Sequence, residues 1–442
     1  MDNQKEYTSK LCSAEAAVRV VQSGDCVSIP VYSNPTLIAS ALADRLHELS
    51  GVTIRIGAPA SDLSWYHPEA TEAFQIEPWY TSPYLPEPIR QMVTDKRSDH
   101  RVCPCALLFK TLDEGREGIT PSDVVLLDVS PPNHNGFVSL GGGVWDKKEL
   151  IQSARTTIAQ VSPDFIRTGG DNFVHLSEID HLVELLDGEA FRPPFPDIEL
   201  SEVVKAIAAY VAPLIHDGDT VEVGAGSTSE ALVQAGIFDN RNDLGWHTER
   251  IPRGGVERVR RGIFTGKNKT LHKNRAVATA VAFSREERDF VHENPHFELY
   301  GVSYVNHLQT IIAHDNMVAI NNALRMDLTG QAVADSFGPQ MFTGTGGFPD
   351  YAIAAVYAKN GRSIMVFPST AVKGTVSRIV PLMEEGSFVT SPRQFTDYVV
   401  TEYGVAQLFG KSQRRRAEEL IAIAHPDFRP ELEKAAKRLF WP

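Results

Sequence analysis

The unbroken apolar run Val124-Val125-Leu126-Leu127, closed by Pro131-Pro132, constrains the fold more than any other stretch of this chain. A strand with one wet face alternates polar and apolar residues. A strand that is apolar at every position has both faces covered, as in a parallel sheet flanked by helices. Other stretches agree with this: Val52, Ile54 and Ile56 alternate as in a strand, and Thr220 to Val223 leads through a Gly-rich turn into a helix start. Met317 to Leu324 and Ser363 to Phe367 read as further strands. Asn34-Pro35 precedes apolar residues at Leu37, Ile38, Ala41, Leu42, Leu46 and Leu49, the pattern of an amphipathic helix with an Asn cap, ended at Gly51. Strands and helices taking turns make an α/β protein.

At 442 residues the chain exceeds one ordinary core, and two domains are expected. Pro193, Pro194 and Pro196 fit neither a helix nor a central strand. A linker is therefore placed at 191–200, between an N-terminal α/β domain over 1–190 and a C-terminal one over 201–442. Both halves read as open sheets, in which ligands gather at the carboxyl ends of the strands.

Lys and Arg total 43 against 56 Asp and Glu, and a net charge of -13 removes the electrostatic basis for a nucleic-acid or anionic-membrane partner. The four cysteines, Cys12, Cys26, Cys103 and Cys105, lack the spacing of a disulfide framework, which points to reduced thiols and a cytoplasmic location. The N-terminus is polar and no apolar run approaches the ~18–20 residues that cross a bilayer, so neither export nor a membrane span is expected. Any anionic ligand then needs a local basic site. Residues 250–275 carry nine Lys or Arg against the single acid Glu257, either a contact for a polyphosphate or a solvated helix face.

Several constellations can carry chemistry. Gly224-Ala225-Gly226 joins a strand to a helix start, so bare backbone there can close over a phosphorylated or pantetheine-bearing ligand, or simply make a tight turn. A dinucleotide fingerprint needs a third Gly or Ala where Ser229 stands, and the P-loop ending is absent, which leaves a nicotinamide reading weak. Glu249, in His247-Thr248-Glu249, is a base or nucleophile if a loop brings it beside those glycines, and otherwise a surface glutamate. Arg250 and Arg253 would keep it ionised in a shared site. Gly141-Gly142-Gly143 and Gly344-Thr345-Gly346-Gly347 can aim backbone N–H groups at an oxyanion, or merely shape loops. The literal H-E-x-x-H of His292-Glu293-Asn294-Pro295-His296 is set aside because Pro295 breaks the helical face that a zinc site needs. His100, Cys103 and Cys105 lack a fourth nearby ligand, so no metal is expected.

Taken together, the segments resemble the acetyl-CoA hydrolase/transferase family, which includes 4-hydroxybutyrate and butyrate CoA-transferases. The carriers include Ser130-Pro131-Pro132-Asn133-His134-Asn135-Gly136, Arg167-Thr168-Gly169-Gly170-Asp171, the Gly-Ala-Gly turn and His247-Thr248-Glu249. Asp327-Leu328-Thr329-Gly330-Gln331, Gly344-Thr345-Gly346-Gly347 and Thr401-Glu402-Tyr403-Gly404-Val405-Ala406 follow in order. The resemblance implies two similar open α/β domains with the active site between them. It also implies ping-pong exchange of CoA between carboxylic acids through a covalent glutamyl-CoA thioester on Glu249. By position, Asn306 and Gly347 match the family's oxyanion donors, and Gly224, Ala225 and Gly226 match its mobile loop. Gly344 and Gly346 belong with the CoA-binding backbone, and Lys373 and Arg378 are assigned here to CoA phosphate contacts. No tightly bound cofactor is implied, since coenzyme A and its acyl esters are substrates, and a homodimer or homotetramer is expected.

The chain departs from the family pattern at Ala225, Arg250, Arg325, Phe348 and the Pro30-Val31-Tyr32-Ser33 segment. These positions bear on the acyl group and its acceptor. The alternatives are an acyl-CoA hydrolase or acyltransferase that keeps the covalent intermediate, and an acyl-CoA-binding protein of low turnover.

Overall fold

A computed structural model describes residues 3–81, 85–116, 121–185, 198, 200–341 and 343–442. The linker expected at 191–200 lies outside the described residues, apart from Ile198 and Leu200.

Two open sheets organise the chain. The first has six strands in the order Phe74–Pro78, Val52–Ile56, Cys26–Ile29, Val124–Val129, Thr156–Val161 and His181–Glu184, all parallel. Val124–Val129 is buried at every position, as the apolar run requires of a strand covered on both faces. The second has nine strands in the order Gly404–Gln407, Tyr398–Thr401, Arg362–Val366, Met317–Asn322, Thr220–Val223, Gly245–Ile251, Ala276–Val281, Phe297–Leu299 and Gly169–Gly170. Only the Tyr398–Thr401 and Gly404–Gln407 pair is antiparallel. Gly169–Gly170 comes from the N-terminal half and pairs with Phe297–Leu299, so the two halves share a sheet edge.

Chain order reverses once in each sheet. Successive strands after Cys26–Ile29 run outward on one side and then resume at Val124–Val129 on the other; Thr220–Val223 plays the same part between Gly245–Ile251 and Met317–Asn322. Such switch points leave a crevice beyond the carboxyl ends of the strands. The Pro30-to-Asn34 loop leaves the first, and Gly224-Ala225-Gly226 leaves the second.

One local expectation is corrected. The helix after Pro35 spans Thr36–Ala43, and the Asn34 side chain does not cap it. Asn34 instead gives its backbone N–H to Asp128 Oδ2 at 2.6 Å and its amide to Ser61 Oγ at 3.2 Å. Asp146 Oδ1 takes the Val31 N–H at 3.0 Å, so two buried carboxyls hold this loop in place, with Tyr32 at a left-handed φ of 63°.

Candidate active site

Glu249 lies near the carboxyl end of Gly245–Ile251. The parallel register pairs Thr220 with Gly245 and Val221 with Trp246, and continued along the strands it brings Gly224 alongside Glu249. The ladder to Ala276–Val281 skips Glu249, whose carbonyl instead accepts the Thr279 hydroxyl at 2.6 Å.

The Glu249 carboxylate is half-buried and held among donors from both halves of the chain. Asn306 Nδ2 donates to Oε2 at 2.7 Å, and Trp145 Nε1 donates to Oε1 at 3.3 Å. The Gly347 N–H and the Tyr80 hydroxyl also act on it. Burial pushes the carboxyl above the ordinary glutamate value, and the donors, Asn306 foremost, pull back in the opposite direction. A Cβ at Gly347 would run into both Glu249 Oε2 and Asn306 Nδ2, so only glycine leaves that backbone close enough.

His247 explains part of the local order. Its Nε2 donates to Val305 O at 2.9 Å, one residue before Asn306, and the Tyr351 hydroxyl reaches the same carbonyl at 3.3 Å. Two positions along the strand, Glu249 then meets the amide that this contact positions. Burial holds His247 well below its usual pKa, so the ring is neutral and serves as a fixed donor.

The Gly224-Ala225-Gly226 loop is tethered at both ends and exposed at Ala225. Ser229 Oγ donates to Gly224 O at 2.6 Å and accepts from Gly226 N at 3.1 Å. A Cβ at Gly224 would strike Asn321 Oδ1, and one at Gly226 would strike Asn322 Cβ. Asn321 Nδ2 also donates to the buried Glu222 at 2.8 Å. Burial, with the Glu249 charge adding to it, raises that acid well above the usual range.

The glycines at 344–347 close the crevice from the other side. Gly344 packs on the Trp79 carbonyl, and Gly346, with a left-handed φ of 59°, lies beside the Tyr80 ring. Gly141-Gly142-Gly143 has a different task from the oxyanion contact that its composition allowed. Val281 N donates to Gly142 O at 2.9 Å and Val144 N to Thr279 O at 2.8 Å, which docks this segment on the edge of the Ala276–Val281 strand and brings Trp145 to Glu249.

Lys373 and Arg378 stand apart from this cluster. Lys373 is exposed, with a left-handed φ of 53°, in the turn joining Thr370–Ala371 to Val376–Ser377. Arg378 is half-buried with Nε unpartnered; burial lowers its pKa and the charge of Glu402 opposes that. Both follow the Arg362–Val366 strand, on the same carboxyl-end side of the sheet as the glycine loop.

Much of the basic stretch 250–275 is engaged in ion pairs within the fold. Acids distant in sequence pair with six of the nine bases: Arg250 and Arg253 meet Glu230, Arg258 and Arg261 meet Asp239, Lys267 meets Asp243, and Arg275 meets Glu298. Lys269 is buried and gives its ammonium to the Trp246 and Arg275 carbonyls at 2.8 and 2.9 Å. The helix in the H-E-x-x-H segment ends at Val291, and Glu293 is left-handed, so His292 and His296 do not share a helical face. Among the described residues no group of three or more candidate metal ligands occurs.

Trp145, Tyr80 and Asp350 join the site without having been singled out in the sequence. Trp145 follows three glycines that mark a close approach, and Asp350 falls three residues after Gly347 in the first turn of the Phe348–Tyr357 helix. Both signals are legible only once Glu249 is known to be their neighbour.

Two open parallel sheets, meeting with a carboxylate held among amide donors at their junction, define an α/β enzyme of the CoA-transferase type. The acetyl-CoA hydrolase/transferase N-terminal domain matches residues 1–190 and the corresponding C-terminal domain matches 284–436. The 4-hydroxybutyrate coenzyme A transferase of Clostridium kluyveri is 36% identical over 445 residues, covering 100% of both chains. The succinyl-CoA:cyclohexane-1-carboxylate CoA transferase of Geobacter metallireducens is 35% identical over 439 residues, covering 99% of this chain and 97% of that one. The crystal structure of RipA from Yersinia pestis superposes with a TM-score of 0.90 at 31% identity, covering 100% of both chains. The chain belongs to the acetyl-CoA hydrolase/transferase family. Among the described residues no helix is long and apolar enough to cross a membrane.

Proposed function

We propose that the protein moves coenzyme A from an acyl-CoA to a free carboxylate by ping-pong exchange, with Glu249 as the covalent nucleophile. The observation that carries this reading is the placement of Asn306 Nδ2 and the Gly347 N–H on one carboxylate at the junction of the two halves. A Glu249 oxygen attacks the thioester carbonyl; a C–O bond forms, the C–S bond breaks, and a mixed anhydride and CoA thiolate result. The thiolate then attacks the glutamyl carbonyl and expels the donor acid as its carboxylate, leaving a glutamyl-CoA thioester. An incoming carboxylate reverses both steps.

Each tetrahedral state on Glu249 places negative charge on an oxygen of its own carboxyl, and donors already aimed there need no reorganisation. The anhydride is a high-energy species, so binding energy from the remote nucleotide of CoA has to be used at the reacting carbonyl. Arg378 and Lys373, at the carboxyl-end side of the second sheet, are the side chains assigned to its phosphates, with Gly224, Ala225 and Gly226 closing over the pantetheine arm and Gly344 and Gly346 lining it. Coenzyme A enters as substrate, with no resident cofactor, and the assembly is a homodimer or homotetramer.

Initial rates test the reading. Across a panel of short acyl-CoA donors and carboxylate acceptors, the fastest pair gives parallel double-reciprocal lines and formation of the acceptor's CoA ester without free CoA. Intersecting lines would remove ping-pong exchange, and full turnover in water alone would make the protein a hydrolase.

A further inference from the structure

The two oxygens of Glu249 are held from opposite halves of the chain: Trp145 Nε1 reaches Oε1 at 3.3 Å and Asn306 Nδ2 reaches Oε2 at 2.7 Å. A second set of contacts stitches the carriers of these donors to each other. Asn306 closes the helix Val302–Val305, with its N–H on Val302 O at 3.0 Å. Val302 N in turn donates to Trp145 O at 2.7 Å, and the Ser303 hydroxyl donates to Glu149 Oε1 at 2.6 Å. Glu149 lies in the helix Lys147–Ser153 that follows Trp145. Its carboxyl is pressed against Gly301, the residue that opens the Asn306 helix: a Cβ there would stand 2.6 Å from Oε1 and 3.3 Å from Oε2. Gly301 has a φ of -59° and a ψ of 155°, a backbone open to alanine as readily as to glycine. Its lack of a side chain is therefore a matter of space, and the space belongs to Glu149.

We propose that Glu149 is a positioning residue for the transfer reaction: through Ser303 and Gly301 it fixes the helix that presents Asn306 against the segment that presents Trp145, so that both donors meet one carboxylate across the junction. This rests on the transfer reading above and names what keeps its two side-chain donors in register. Burial raises the Glu149 pKa and the Ser303 hydroxyl lowers it, as a donor to the carboxylate does. Glu149 Oε2 is buried without a partner, which leaves the Ser303 bond to fix how the carboxyl is turned. His247, on Val305 O, steadies the far end of the same short helix from within the C-terminal half, and Glu149 steadies the near end from the other half. Charge grows on the Glu249 oxygens only during reaction, so a donor shifted slightly out of line lowers kcat and leaves substrate binding as it was.

The test is Gly301→Ala in the full-length protein, read at steady state with the fastest pair of the panel. The added methyl group meets the Glu149 carboxyl before any other group and pushes it off Ser303. The expected result is a fall in kcat of about tenfold, the worth of one hydrogen bond, with KM for the CoA ester unchanged. Glu149→Ala loses the same, and G301A adds nothing to it, because the methyl then enters vacated space. Glu149→Gln keeps an acceptor for Ser303 and retains kcat within about threefold. In Asn306→Ala, which has no amide left to place, G301A adds no further loss. Wild-type rates in G301A, a change in KM in place of kcat, or losses that multiply when G301A is combined with E149A or N306A overturn the proposal. G301A and E149Q keep the test readable even where E149A fails to fold, since the first must lose rate and the second must keep it. Absence of a glutamyl adduct in wild type would remove the covalent mechanism while leaving these rate ratios interpretable; wild-type rates in G301A beside an intact adduct remove this inference alone.

Discussion

Asn306 Nδ2 stands 2.7 Å from Glu249 Oε2 across 57 residues of sequence, and the strand carrying Glu249 also sends His247 to the carbonyl just before Asn306. The donor is thus locked to the nucleophile by two contacts, one direct and one through the backbone. Asn306→Ala is expected to lower kcat by about 10²–10³-fold with little change in KM for the CoA ester, the signature of a contact that strengthens in the transition state. Steady-state rates for both parameters check this.

Gly347→Ala places a methyl group against Glu249 Oε2 and Asn306 Nδ2 together. Because the added atom meets catalytic side chains, the expected outcome is a loss of kcat as large as that of Asn306→Ala in a protein that still folds. Circular dichroism beside the rate measurement separates the two effects.

Trp145→Phe removes one donor from Glu249 Oε1. Donors to the ionised form lower a carboxyl pKa, so their removal raises Glu249 further above the ordinary glutamate value. The acid limb of kcat/KM for the free enzyme moves to higher pH in the variant, which a pH–rate profile reads directly.

Charge reversal distinguishes the two basic regions. Arg378→Glu is expected to raise KM for acyl-CoA and to leave turnover of the corresponding acyl-pantetheine, which lacks the nucleotide, unchanged. Lys267→Glu and Arg260→Glu, whose positive charges are already matched by Asp243 and Glu257, leave both values near wild type.

His314 is buried with both ring nitrogens unpartnered, 4.4 Å from the His247 ring, and burial pushes it down to about 3. The unfolded chain takes up this proton near pH 6.5 while the folded chain refuses it until about 3. Its contribution is therefore fully present above about pH 6.5 and fades as pH falls toward 3, at up to about 1.4 kcal/mol per pH unit. Measured between pH 7 and pH 4, the denaturant midpoint of wild type should fall relative to that of His314→Phe as acid is added.

The fold was legible because its strands carry their environment in their composition. Val124 to Leu127 has no polar position to turn outward, and Thr220 to Val223 runs into glycines that favour a turn. Asn34 misled because Asp128 and Ser61, remote in sequence, compete for its polar groups. The partners of six of the nine bases of 250–275 were illegible for the same reason, since Glu230, Asp239, Asp243 and Glu298 reach them only in the folded chain. Glu249, Asn306 and Gly347 came from resemblance, and geometry shows what unites them. Trp145 and Asp350 needed the assembled junction, because no local pattern marks a side chain whose role depends on a partner a hundred residues away.

The most direct measurement is the intact mass of the protein after incubation with acyl-CoA alone, followed by borohydride and peptide mapping. A CoA-sized adduct on wild type, reduced to an alcohol at Glu249 and absent from Glu249→Ala, is the expected result. An unmodified wild-type protein that still transfers CoA, or a Glu249→Ala variant with full activity, would contradict covalent catalysis by Glu249.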